Sequence, residues 1–142
     1  MIGKKIKTWQ WIVLVVALLA LLNWILQRPD SRSRELNDLI RSQGSQLLKD
    51  YPYQFHVLRV ENDTAIMATP RNANVPALRF LSVIYPDLDV KDNNNPAFIA
   101  AQKKLGEMQS EARTIVISQP DINNVKWELD KKWLSAHHIE FQ

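Results

Sequence analysis

The sequence contains no cysteine and only three glycines, and it shows none of the short motifs that mark catalytic sites. Without cysteine there are no disulfides and no thiolate metal sites, which excludes a disulfide-stapled secreted module. With glycine confined to Gly3, Gly44 and Gly106, no glycine-rich loop can cradle a phosphate. There is no G-x-S-x-G elbow for a serine nucleophile and no H-E-x-x-H pair for zinc. The basic pI near 9.3 is misleading as a sign of nucleic-acid binding. Setting aside Lys4, Lys5 and Lys7, the eighteen basic residues fall to fifteen, which the fifteen acids cancel. A nucleic-acid reader concentrates positive charge in its folded domain, so none is expected as partner.

What the sequence does have is one long apolar run. Ile12 to Leu22 is wholly apolar, and extending to Trp9 and Leu26 adds only Gln10 and Asn23. Those eighteen residues span about 27 Å as a helix, close to the hydrocarbon thickness of a bilayer. Trp9 and Trp11 at one end and Trp24 at the other suit the two headgroup layers, where indole keeps its N–H wet. Arg28 and Pro29 are expected to close the helix. A cleavable signal peptide would need a small-x-small site after the run, and Leu21-Leu22-Asn23-Trp24 offers none. The lipid bilayer is therefore the first expected partner, with self-association through Ala17 and Ala20 as a further option. A short lysine-bearing tail before an apolar run is a signal-anchor layout. It places the soluble domain on the outer side of an inner membrane, periplasmic in a bacterium. Arg28, Arg32, Arg34 and Arg41 weigh the other way.

The remaining chain is long enough for one domain. The sequence divides into a tail and transmembrane anchor (1–28), a helical juxtamembrane connector (29–52) and a soluble α+β domain (53–142). Asp30 or Ser31 can cap a helix carrying Leu36, Leu39 and Ile40, interrupted at Gly44 and stopped by Pro52. Tyr53–Val60 and Thr64–Thr69 read as a hairpin about Asn62-Asp63. Simple pairing puts Phe55, Val57, Ile66 and Ala68 on one face and Leu58, Val60, Ala65 and Met67 on the other. Both faces are half apolar, so the buried side stays open.

Asn74 and Pro76 start a helix whose Leu78 and Leu81 face inward. After the polar loop 86–95, Asn95 and Pro96 start another, with Phe98, Ala101, Leu105, Met108 and Ala112 in a helical stripe. Gly106 within that stripe suggests close packing. Thr114–Ser118 and Val125–Leu129 read as a second hairpin, and Asp130 caps a last short helix. The expected fold is α+β, with a four-stranded, mainly antiparallel sheet of two hairpins packed by helices.

Chemistry is sparse. Asp87, Asp89 and Asp92 resemble a calcium loop but miss the glycine and the bidentate acid of an EF-hand. His137 and His138 are adjacent and make a poor metal pair, and His56 has no carboxylate at strand spacing beside it. No metal or cofactor is expected, and no catalytic residue can be named. Trp127 and Trp133 read as core residues, with a partner-binding surface as the alternative.

The stretches SQPDINNVKWELDKKWL and PRNANVPALRFL resemble a family of short, single-anchor proteobacterial membrane proteins. These are sometimes labelled glutamine synthetase (glutamate–ammonia ligase) adenylyltransferase-like. The resemblance spans most of residues 50–138 and rests on packing residues and turns. A nucleotidyltransferase would place paired aspartates on a strand soon after a Gly-Ser turn, whereas Gly44-Ser45 is followed by Asp50 alone. The resemblance therefore implies a membrane-tethered protein and carries over no catalytic residue. Two functional readings remain. One is a non-enzymatic accessory module that binds another protein, such as a component of an envelope complex. The other is a small enzyme or ligand-binding domain using scattered residues such as His56, Arg59, Arg71 and Asp121.

Overall fold

The computed structural model describes residues 7–27 and 30–141. Lys4, Lys5 and the stop expected at Arg28-Pro29 lie outside them. Helix α1 runs Thr8–Gln27, and its 20 residues make a rod of about 30 Å. From Thr8 to Ile25 the mean hydropathy is 1.9, and none of that window is buried inside the fold. An apolar surface of that length with no protein against it needs lipid, so α1 is a candidate membrane-spanning helix rather than a core helix. Trp9, Trp11 and Trp24 are all exposed.

Helix α2 (Ser31–Gln43) starts where the sequence predicts, because Asp30 caps it by accepting from the Ser33 amide at 2.6 Å. Asp30 also accepts from the Val60 backbone. Burial alone would raise this carboxyl, but the hydrogen bonds from Ser33 and Val60 hold it below its ordinary range. Gly44 breaks the helix, and α3 (Gln46–Asp50) resumes with Ser45 as its cap. Leu36, Ile40 and Leu48 are buried in the same cluster as Tyr53, Met67 and Leu105, so segment 31–50 packs into the domain it leads to.

The sheet differs from expectation. Among the described residues it has three strands in the order β1 (Val57–Glu61), β2 (Thr64–Thr69) and β3 (Asn124–Leu129). β1 and β2 are antiparallel, but β2 and β3 are parallel, so there is one hairpin and not two. Thr114–Ser118, expected as a strand, is instead the end of α5 and its cap: that helix runs Pro96–Ile117 without a break. Its β-branched residues do not decide the matter, because Ile115 and Val116 continue the buried stripe of Leu105, Met108 and Ala112. With no partner strand before it, β3 returns from the far end of α5 and joins β2 in parallel. The connection β2–α4–α5–β3 is a helical crossover, with α4 spanning Ala77–Ile84.

The first hairpin also corrects its expected faces. A register shift between Val57 and Arg59 sets Val57 opposite Met67 and Val60 opposite Ala65, so these four share one face. That face, extended by Val125 and Trp127 of β3, receives α5 over β2 and β3, and α2 over β1. Arg59, Ile66, Ala68, Lys126 and Glu128 take the other face, against which no described helix buries a core cluster. There the Arg59 guanidinium reaches across β2 to both oxygens of Glu128, at 3.1 and 2.9 Å. It thereby roofs Ile66 and Ala68, which are buried without belonging to the main core.

Two smaller expectations also change. In α4 the buried pair is Phe80 and Leu81, while Leu78 is exposed. Gly106 is not at a close contact: an added Cβ would meet only Arg71 Nη2 at 3.9 Å. Helix α6 (Lys131–Ala136) completes the chain, capped by Asp130 as expected.

Candidate functional site

Chain length limits how far the start of α2 can lie from the end of α1. Residues Gln27 and Asp30 are three steps apart, and an extended chain covers at most about 10 Å in that distance. Asp30 lies beside Val60, so the end of the sheet carrying the Asn62-Asp63 turn is the end tied by a short stretch of chain to α1. Arg32 locks the same end by holding Asp121, Nε to Oδ2 at 2.8 Å and Nη2 to Oδ1 at 2.5 Å. The opposite end, where the parallel strands finish at Thr69 and Leu129, carries α4, α6 and the loop 86–95. Ligand sites of sheets with parallel strands gather at that carboxyl end.

Asp130 is the hub there. Its amide donates to the Thr69 carbonyl at 2.8 Å, Oδ1 accepts from the Trp133 amide at 3.0 Å, and Oδ2 accepts from the Tyr53 hydroxyl at 2.8 Å. His56 Nδ1 faces the Gln54 carbonyl at 2.9 Å, so Nδ1 carries the proton and Nε2 turns toward Asp130 Oδ2, 4.0 Å away. The carboxylate that strand spacing fails to supply to His56 thus comes from 74 residues along the chain. Burial and then the bond to Asp130 push the Tyr53 hydroxyl well above its ordinary value, so it stays a proton donor.

The four scattered candidates do not converge. His56 meets Asp130, Arg59 meets Glu61 and Glu128, Arg71 donates to Gln109 on α5 at 3.3 Å, and Asp121 meets Arg32. Two of the three aspartates of the polar loop are used within it, Asp89 by the Lys91 amide and Asp92 by the Asn94 amide. Among the described residues no group of three or more His, Cys, Asp or Glu is placed to hold a metal ion. His137 stacks on Trp133 at 3.9 Å and its Nδ1 faces the Trp133 carbonyl. Trp133 also packs edge-on to Tyr53 at 5.5 Å, and Trp127 edge-on to Phe55 at 6.1 Å. Both indoles are half-buried.

A second feature at this end went unseen in the sequence. An open apolar groove of about 630 Å³ runs between Ile84-Tyr85-Pro86-Asp87-Leu88 and the first turns of α5, floored by Ala97, Ala100 and Ala101 and closed by Lys104. It exists because small residues recur at helical spacing along one edge of α5, leaving a trough beside larger neighbours. Alanine at 97, 100 and 101 was the available signal. A hollow of about 800 Å³ between Asn74, Arg79 and Ile139–Phe141 is more polar. No protein-family model, curated protein or solved structure matches this chain.

Proposed function

We propose that the chain is a single-pass, membrane-tethered accessory module that binds another protein through the groove between α4 and α5. The observation that carries this reading is the groove itself: apolar, open, and flanked by one acid and one base, Asp87 and Lys104. Such a trough suits an apolar side-chain row from a partner helix or strand, with the two charges fixing its direction. The outer, periplasmic side of an inner membrane fits the signal-anchor layout, and the resemblance to single-anchor proteobacterial proteins points to an envelope complex. Trp127 and Trp133, half-buried, are secondary contact points.

The test is a photo-crosslinking residue at Ala100 in the full-length protein in living cells. A discrete adduct with one protein, lost on Ala101→Arg, supports the reading. No adduct from a protein that is folded and membrane-inserted refutes it.

One observation favours the second reading, a small enzyme or ligand-binding domain: His56 Nε2 lies beside the buried Asp130 carboxylate. His56→Ala with Arg71→Ala separates the two. Loss of the cellular phenotype with the Ala100 adduct intact favours ligand chemistry.

A further inference from the structure

The two outer edges of the sheet are treated differently. On β1 the edge is taken: Val57 donates to Asn37 Oδ1 at 2.6 Å and its carbonyl accepts from Asn37 Nδ2 at 3.1 Å, while Asp30 takes the Val60 amide. On β3 nothing comparable occurs. The amides of Asn124 and Asp130 both point to the β2 side, toward Asp63 and Thr69. Backbone direction alternates along a strand, so Lys126 and Glu128 point inward as well. Val125, Trp127 and Leu129 therefore direct their N–H and C=O groups outward, and among the described residues no hydrogen bond reaches them. An edge of this kind is a template for another strand.

The charge pattern names the strand that fits. We propose that β3 pairs antiparallel with β3 of a second copy about a two-fold axis at Trp127, joining the two sheets edge to edge. In that register Trp127 exchanges both backbone bonds with its own counterpart, and Val125 exchanges bonds with Leu129 of the other copy. All three outward residues are used. On the uncovered face Lys126 then stands directly opposite Glu128 of the second copy, twice over by symmetry. Every neighbouring register is worse. An axis at Lys126 sets two lysines face to face, and an axis at Glu128 sets two glutamates face to face. An axis at Leu129 opposes Glu128 to Asp130, and an axis at Val125 wastes half of the strand. A two-fold axis perpendicular to the sheet brings both anchors into the bilayer from the same side when the strands lie parallel to the bilayer plane, and this is the orientation that the pairing requires. The pairing uses no residue of the α4–α5 groove, so each reading can fail without the other.

The absence of native cysteine makes the test clean. Lys126→Cys and Glu128→Cys, both at exposed positions, are coexpressed as full-length chains and oxidised in native membranes. Facing residues of a non-hydrogen-bonded antiparallel pair have Cα atoms about 4.5 Å apart, within disulfide range. Two Lys126→Cys chains would hold their cysteines about 8 Å apart, beyond it. The expected result is a mixed disulfide dimer several-fold above Lys126→Cys alone and above Lys126→Cys with Glu61→Cys, which lies on the β1 edge. Light scattering of the unmodified protein in nanodiscs should give two chains per particle. Equal linking in all combinations, a single-chain particle, or linking of either cysteine to a different protein would overturn the proposal.

Discussion

The Tyr53 hydroxyl donates to Asp130 Oδ2 at 2.8 Å, joining residues 77 positions apart at the carboxyl end of the parallel strands. The same carboxylate caps α6 through the Trp133 amide, so one side chain ties β3, α6 and the segment leading into β1. Tyr53→Phe removes one donor from a nearly buried carboxylate and is expected to cost about 1–3 kcal/mol. Asp130→Ala leaves the Tyr53 hydroxyl unpaired and α6 uncapped, and is expected to cost about 2–5 kcal/mol. Asp130→Asn keeps both acceptor geometries through its carbonyl only in part, so it should fall between them. Thermal unfolding of the three variants in micelles orders them, and a melting point for Asp130→Ala equal to the parent's would sink the account.

Gly44, between α2 and α3, and Gly106, inside α5, should respond to alanine with opposite signs. At Gly44 an added Cβ would stand 2.6 Å from the Ile40 carbonyl and 3.0 Å from Leu48 Cδ2. The carbonyl is backbone and cannot move aside, so Gly44→Ala must open the α2–α3 junction and lower stability. At Gly106 the nearest atom is the far end of the Arg71 side chain at 3.9 Å. There Gly106→Ala should gain up to about 1 kcal/mol from helix propensity. Paired melting curves decide it, and a destabilised Gly106→Ala would mean that α5 needs that space.

The uncovered face of the sheet sets a response to acid. Hydrogen bonds from Arg59, first, outweigh burial and hold Glu128 below its ordinary 4.5. A carboxyl depressed in the fold adds stability at pH above its unfolded value, and that stability is lost as pH falls through the folded value. The melting temperature should therefore drop as pH is lowered below 4.5, and Glu128→Gln should show a smaller drop from a lower starting point. Asp121, depressed by its bonds to Arg32, contributes in the same direction near the anchor, below its ordinary 3.8. Both groups are largely exposed, so added salt should shrink the effect. Parallel acid curves for parent and Glu128→Gln would count against this assignment.

Local signals were legible wherever one residue dictates one geometry. Asn95 and Asp130 each cap the helix that the sequence assigns to them, Asp30 is the one of the two offered caps that α2 uses, and Phe98 to Ala112 forms the buried stripe its spacing requires. What failed was topology, through one ambiguous segment. Thr114-Ile115-Val116-Ile117 has strand propensity, but Ile115 and Val116 also fall three and four positions after Ala112, on the helix's buried side. Tertiary burial chose the helix. Losing that strand changed the partner and the direction of β3, and no local pattern announces a parallel pairing. The shift between Val57 and Arg59 was equally silent, since both faces of the hairpin carry apolar residues. The site suffered in the same way: His56 and Asp130 meet only because the crossover brings the end of β3 beside β1's entry.

The anchor admits the most direct test. Every described side chain from Thr8 to Ile25 is exposed, and Leu18 stands near the middle of that window. A charge at the centre of a spanning helix costs about 2.5–3.5 kcal/mol on insertion scales, whereas on a water-exposed helix it would cost almost nothing. Leu18→Arg should therefore shift a measurable fraction of the protein from the carbonate-resistant membrane pellet to the supernatant, and Leu18→Ala should not. The domain itself should be unaffected, because no described α1 side chain belongs to its core. Reporter fusions at the C-terminus, one active only outside and one only inside, then assign the side on which the domain lies. If the parent protein washes out in carbonate, α1 is not held by lipid, and its uncovered apolar length must instead be buried against another protein.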